Sequence, residues 1–423
     1  MKKKNLIILT FDELRADHVG CYGYERIKTE NFDWMAENGV LFEDCVSASN
    51  LTPICHAALL TGLNPPHNGI RDPYSYLEAR TIAEILKEEG YRTAGFVGSG
   101  ILGSRHGFAR GFDTFYEPTK EEAAEILSWA NDPEHKDIGF PLGGWWIEQM
   151  CDWIEKNHDS NFFVFAHFYH THEGMGESLI DKGLIKEGRL SDFDYLDAKI
   201  ELADEKVVGT VLGLLKHFDH MDDTIIVLTA DHGTNLGEHG ADPIPWRSDQ
   251  LYPQHRSLYH HDIRVLLIIK GLDAYAGTKV KGIVRHIDLL PTILKHMGIE
   301  HKGQYDGIDL TRFIESGEAK GLVAYSEALY DARPPGAVQA LYSEDYKFIR
   351  NLTKGIEEFF RLKTDPGETI NMIQDVTDDE RKMLIAWRRE MNKLLMAGGS
   401  RKKFSKDVER EIEGRLRMMG YIE

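Results

Sequence analysis

Short all-apolar runs alternate with amphipathic stretches along most of the chain. Residues 6–11, 93–97, 162–168, 224–229 and 265–269 read as strands. Residues 81–89 have helical spacing and stop at Gly90. Residues 192–218 form a longer helical segment, with Ile200, Val207, Val208, Val211, Leu212 and Leu215 at helical intervals. Strands that are apolar on both faces and separated by helices predict a mostly parallel sheet covered on both sides. The texture changes near residue 320. Residues 321–329, 338–341, 346–352 and 357–362 read as short strands of a meander, followed by polar helices over 378–397 and 405–418. The pattern predicts an α/β domain over 1–320 and a smaller C-terminal α+β subdomain over 321–423. It shows no internal repeat.

Two of the apolar runs end in metal-ligand chemistry. One ends Thr10-Phe11-Asp12-Glu13 and another Thr229-Ala230-Asp231-His232-Gly233. Ligands in open α/β sheets sit beyond the carboxyl ends of the strands. Hard oxygens with one imidazole suit Mg, Mn, Ca or Zn. Each residue alone fits a loop cap; two such strand ends together favour a metal.

Thr52-Pro53 opens a stretch that runs to Thr61-Gly62. Thr before Pro is a strong helix start, so Thr52 fits an N-cap. The same placement fits a nucleophile, because a hydroxyl at a helix N-terminus lies where an anion is stabilised. The local sequence leaves both readings open. A histidine-rich group adds His167, His170 and His172, then His239, His255, His260 and His261. His172 is the strongest of these as an anion clamp or metal ligand. Gly98-Ser99-Gly100-Ile101-Leu102-Gly103 follows a strand and fits G-x-G-x-x-G. A loop-like stretch follows it instead of an apolar helix, which argues against a dinucleotide site.

Charge narrows the partners. With 50 Lys+Arg against 69 Asp+Glu the net charge is −19, which disfavours nucleic acid and anionic membranes. A small anionic substrate needs only a local positive centre. The chain has four cysteines, too few for a disulfide scaffold in 423 residues. No stretch reaches the ~20 apolar residues of a membrane span. The Lys-rich start with its short apolar run reads as a first strand rather than a signal peptide. A cytoplasmic protein is expected.

Taken together, the motifs resemble the sulfatases of the alkaline-phosphatase superfamily. Asp12-Glu13-Leu14-Arg15-Ala16-Asp17 with Gly20-Cys21-Tyr22-Gly23 is similar to that family's N-terminal signature. Ala57 to Gly62 resembles the block after the nucleophile, and Thr229 to Gly240 the second metal motif. Tyr259, Arg264, residues 286–292, residues 346–351 and residues 360–371 match later landmarks. The resemblance implies a large mixed, mostly parallel sheet sandwiched by helices. It also implies a metal held by Asp12, Glu13, Asp231 and His232. By family spacing the nucleophile falls on Thr52, nine residues before Thr61, and not on Cys55. Thr52-Pro53-Ile54-Cys55-His56 therefore stands where C/S-x-P-x-R would, and no formylglycine is expected. The resemblance implies His172 and His255 as catalytic residues and His56, His170 and His239 as substrate contacts.

His232 in the ligand set favours Mn or Zn, with Ca or Mg as the other choices. Hydrolysis of phosphate monoesters can demand up to ~10²¹ in acceleration. Positioned acid–base groups supply roughly 10²–10⁴ of that, so a metal is expected to carry much of the rest. The expected activity is hydrolysis of small phosphate or phosphonate esters by Thr52. Sulfate-ester hydrolysis without formylglycine is the alternative, and phosphoryl transfer a third. The C-terminal helix, with Leu416, Met418, Met419 and Tyr421, is a candidate surface for a homo-oligomer.

Overall fold

The computed structural model describes residues 3–117, 119, 144–171, 192–240, 257–300, 303–329 and 337–397. Eight strands form one mixed sheet: β1 (Asn5–Phe11), β2 (Gly39–Val46), β3 (Arg92–Val97), β4 (Thr114–Tyr116), β5 (Phe162–Phe168), β6 (Thr224–Ala230), β7 (Arg264–Lys270) and β8 (Thr278–Arg285). Their order is β4-β3-β5-β1-β6-β7-β2-β8. All neighbours pair in parallel except β7, which runs antiparallel to both β6 and β2. Strands β1, β5 and β6 are buried along their whole length, as runs apolar on both faces require. Helices α1 (Glu30–Glu37) and α2 (Thr52–Thr61) flank the sheet, with Ile82–Glu88, Gly144–Asn157 and Leu289–His296. The long helical segment runs Asp192–Leu202, then Ala203–Gly209 in π geometry, then Thr210–His217.

The five predicted strands of this sheet lie where expected. Three others were not anticipated, and β4 is only three residues long. Charged residues interrupt β2 (Glu43, Asp44) and β8 (Lys279, Lys281), and these positions are half-buried or exposed. The antiparallel run of β7 also has no signature in its sequence. After Gly98 come only two short 3-10 turns, Gly100–Leu102 and Ser104–His106, so the glycine-rich stretch opens no helix.

The second sheet is an antiparallel meander, β9 (Val323–Ala328), β10 (Val338–Ser343), β11 (Tyr346–Asn351) and β12 (Ile356–Arg361), in the order β12-β11-β10-β9. Helix Asp378–Met396 packs on it, opened by a capping box between Thr377 and Glu380. The helix expected over 405–418 lies outside the described residues. Strand β9 docks on the segment between β2 and α2. Ser326 Oγ donates to Ser47 O at 2.6 Å and Glu327 N to Ala48 O at 3.0 Å. Arg71 clamps buried Glu327 from the other side, at 2.6 and 2.5 Å. The small sheet therefore holds the approach to α2 in place.

Candidate active site

Strand register assembles the site. In parallel neighbours, residues at the same level project to the same face. Thr10 on β1 is level with His167 on β5 and with Thr229 on β6. These three side chains share one face. Two residues further on, Asp12 and Asp231 share it too, just past the strand ends. Asp12 N donates to Phe168 O (3.0 Å) and Asp231 N to Phe11 O (3.2 Å), which carries the ladder one step beyond the strands.

Helix α2 lies over this face. It is buried along its whole length, and Gly62 ends it in a left-handed conformation at φ 68°. Ile54, Leu59 and Leu60 are at most 2% exposed. Each such side chain contributes about 1.5–3 kcal/mol. That outweighs the cost of seating Thr52 and His56 inside, since both are hydrogen-bonded. His56 Nε2 meets Thr10 Oγ1 at 2.9 Å, and Nδ1 meets Thr52 O at 2.7 Å.

Thr52 does not act as a cap. Leu51 holds the N-cap position, and no side chain caps the helix. The Thr52 hydroxyl instead lies 3.3 Å from His232 Nε2. The amides of Ile54 and Cys55 both turn back onto Leu51 O, and Pro53 has none. The helix start thus offers its dipole more than its free amides. Cys55 is one turn further in and fully buried. Its thiol donates to Ser49 O at 3.2 Å, and burial followed by the Asp231 charge pushes its pKa well up. Such a thiol is a poor nucleophile.

His232 Nδ1 contacts Gly233 O at 2.9 Å, which places the proton there and makes Nε2 the acceptor that faces Thr52. Gly233 is required: a Cβ there would sit 2.0 Å from His261 O. Three atoms converge on Nε2: Thr52 Oγ1 at 3.3 Å, Asp231 Oδ2 at 3.5 Å and Asp12 Oδ1 at 3.8 Å. Ligand atoms around a tetrahedral ion with bonds near 2.1 Å lie ~3.4 Å apart. Asp231 Oδ1 is satisfied by the amides of His232 (2.7 Å) and Glu13 (3.3 Å). Among the described residues, Asp231 Oδ2 and both oxygens of Asp12 are buried without a hydrogen-bond partner. Glu13 adjoins them at a left-handed φ of 57°, a costly conformation for a non-glycine residue and one that clusters at functional sites.

The electrostatics follow from this crowding. Burial, then the Asp231 charge, holds the Asp12 carboxyl well above its usual range. Burial also works against Asp231, but His232, His56 and His167 outweigh it and hold that carboxyl down. For His232 burial opposes protonation, yet Asp231, Asp12 and Glu13 prevail and raise its pKa. Buried carboxylate oxygens beside an imidazole nitrogen that can act as a ligand fit a divalent cation. Two such donor groups lie among the described residues: Asp12 with Asp231 and His232, and His56 with His167 and Asp231.

The structure thus brings together Asp12, Asp231, His232 and Thr52, with Glu13 beside them. His56 lies beneath Thr52 rather than on an open surface. His239 is outside this knot. It stacks on Tyr259 with ring centroids 3.8 Å apart and lines a cleft with Arg15, Asp17, Glu238, His260 and Glu368. His172, His255 and the side chain of His170 lie outside the described residues. Sequence reasoning named His167 among the candidates for an anion clamp or metal ligand, behind His172. Its level with Thr10 in the sheet was the missing signal.

A family model described as Sulfatase matches residues 4–299. The chain belongs to the sulfatase family. This accords with the sequence motifs and makes the protein a hydrolase of that family. Among curated sulfatases, the ulvan-active sulfatase of Formosa agariphila is 25% identical over 413 residues, covering 88% of this chain and 77% of the relative. The sulfatase-like fold extends across nearly the whole chain. The crystal structure of Ps i-CgsB in complex with k-i-k-neocarrahexaose matches with a TM-score of 0.75 at 20% identity, over 99% of this chain and 97% of the other. The phosphonate monoester hydrolase of Agrobacterium radiobacter matches with a TM-score of 0.71 at 18% identity, over 93% and 95%. No helix among the described residues is long and apolar enough to cross a membrane.

Proposed function

We propose that this sulfatase-family hydrolase cleaves small phosphate or phosphonate esters with Thr52 as nucleophile. The observation that carries the reading is the position of Thr52 Oγ1, 3.3 Å from His232 Nε2 beside Asp12 and Asp231. Asp12, Asp231 and His232, with Glu13, would hold a divalent ion. Zn or Mn is the choice that suits an imidazole among carboxylates. When bound, such an ion lowers the pKa of a nearby hydroxyl and offsets charge on the group being transferred.

The chain's own groups have the following parts. His232 is held with Nε2 facing Thr52, so the hydroxyl has a fixed direction. Thr52 Oγ attacks phosphorus in line, and the ester oxygen leaves opposite it. His172 and His255 protonate that oxygen and hold the equatorial oxygens. The resulting Thr52 ester has no internal escape, so a water must cleave it in a second step. The net charge leaves small monoesters or diesters as substrates and disfavours polyanions.

A second reading is hydrolysis of sulfate esters by the same hydroxyl. The similarity to the ulvan-active sulfatase favours it. Turnover of aryl phosphate, phosphonate, phosphodiester and sulfate substrates with Zn or Mn separates the two. Faster turnover of the phosphorus esters supports the first reading, and sulfate-only turnover overturns it. A formylglycine mass at position 55 would overturn both. Partitioning of product to added alcohols would mark a transferase.

A further inference from the structure

The two strands that deliver the candidate metal ligands each carry a threonine just below them. Thr10 stands two residues before Asp12 on β1, and Thr229 two residues before Asp231 on β6, level with each other. Each threonine meets a buried imidazole. His56 Nε2 lies 2.9 Å from Thr10 Oγ1, and His286 Nε2 lies 3.0 Å from Thr229 Oγ1.

Beyond the imidazoles the two arms differ. His56 Nδ1 lies 2.7 Å from Thr52 O. A carbonyl only accepts, so Nδ1 carries the proton and Nε2 the lone pair. The Thr10 hydroxyl donates to that lone pair, which is nearer than its other acceptor, Ala166 O at 3.3 Å. One directed chain results, from Thr10 O–H to His56 Nε2 and from His56 Nδ1–H to Thr52 O. Burial, then the nearby His167, pushes the pKa of the ring down to about 3, so it stays neutral and the direction holds. Both ring nitrogens are committed, and His56 keeps no lone pair for a cation. On β6 the chain stops. Thr229 Oγ1 gives its proton to Leu266 O at 2.7 Å, and among the described residues His286 Nδ1 is buried without a hydrogen-bond partner.

The β1 arm reaches the least secured part of α2. No side chain caps that helix start, and Pro53 offers no amide. The same first turn carries the Thr52 hydroxyl toward His232 Nε2. Thr10, His56 and Thr52 are at most 1% exposed, so water does not compete for the bonds that join them. The start of α2 is thus tied to the strand that delivers Asp12.

We propose that Thr10 and His56 are positioning residues that set the Thr52 hydroxyl against the ligand strand β1. Their role rests on Thr52 being the nucleophile, and it explains how that hydroxyl is held without a cap. A displacement of about 1 Å at a reacting group can cost ~10²-fold in rate.

The test is steady-state kinetics on the Zn-loaded full chain with the ester it turns over fastest. Thr10→Val removes the hydroxyl and keeps the shape. Its kcat should fall roughly 10–100-fold with KM within about threefold, the mark of a misplaced nucleophile rather than of lost substrate contacts. Thr10→Ser restores the donor and should recover most of the rate. Thr229→Val breaks the arm that stops at His286, so it should lose stability and keep a kcat close to wild type. Wild-type kcat in Thr10→Val, no recovery in Thr10→Ser, or an equal kcat loss in Thr229→Val would overturn the proposal. Should Thr10→Val fail to fold, the wild type still decides. Nitrogen NMR of the histidine-labelled, metal-free chain, assigned against His56→Phe, should show His56 protonated at Nδ1, and protonation at Nε2 overturns the chain of bonds. Undiminished turnover in Thr52→Ala would refute the nucleophile itself, whereas an inactive Thr52→Ala beside a fast Thr10→Val refutes only the positioning role.

Discussion

Buried charge is handled in two ways in this molecule. Where β9 docks, every buried charge meets its opposite. Glu327 takes both arms of Arg71, and Tyr325 donates a third bond to it at 2.6 Å. At the ends of β1 and β6 the carboxylates of Asp12 and Asp231 point inward with bare oxygens. Both arrangements sit at under 4% exposure, so burial does not distinguish them. The difference is completeness. A closed ion pair holds elements together, whereas an open carboxylate cluster is built around something still to arrive.

The sharpest break between the two regions is catalytic. Thr52→Ala should lower kcat by roughly 10⁴ or more, as loss of a nucleophile does, while leaving the melting curve nearly unchanged. Cys55→Ala should keep turnover within a few-fold, because its thiol is bonded away from the knot. Steady-state kinetics on both variants checks the pair. The reverse pattern would return the nucleophile to Cys55.

Glu327→Ala should do the opposite. It strands Arg71 in a site where that residue is 3% exposed. Removing one partner of a buried pair costs roughly 3–5 kcal/mol. The urea midpoint should fall clearly, and residual turnover per folded molecule should stay close to wild type. Loss of turnover without loss of stability would place Glu327 in the chemistry.

Metal should stabilise only the open cluster. At one hundred times its dissociation constant, an ion that binds only the folded state adds about 2.7 kcal/mol. Asp12→Asn should abolish that gain. It should also raise the stability of the metal-free chain, since burial and Asp231 both work against the Asp12 charge. Melting curves with chelator and with Zn test both signs.

These contrasts also explain what could be read from the sequence. The five apolar strands were legible because burial on both faces leaves an unbroken run. Strands β2 and β8 were not, because Glu43, Asp44, Lys279 and Lys281 break theirs. Asp12, Asp231 and His232 could be singled out because strand ends in α/β sheets carry chemistry, and the structure brings the three together. His167 was not, because it lies inside an apolar strand and gains meaning only from its level with Thr10. The cap and nucleophile readings of Thr52 share one local sequence. The structure removes the cap reading, because Leu51 holds that position and the Thr52 hydroxyl faces His232 Nε2.

The last contrast lies between the two regions, at Asp262. This residue accepts from the Ser257 amide at 2.9 Å and from its hydroxyl, and its own carbonyl accepts from Gly233 N at 2.8 Å. Burial pushes its carboxyl up to about 8, against the pull of the Ser257 bonds and of Arg15 and Lys347. In the unfolded chain the group ionises near 4. Between those values folding takes up a proton, so this residue's contribution to stability falls as pH rises. The slope is at most about 1.4 kcal/mol per pH unit, and it ends above pH 8, where the folded form ionises too. Asp262→Asn removes the titration. The wild type should lose stability between pH 5 and 8 relative to the variant, and the two should run parallel above that. Melting curves across pH, with metal removed by chelator so that the open cluster does not contribute its own ion uptake, read the difference. Parallel curves throughout would place Asp262 with the closed pairs of the β9 interface, its charge already met.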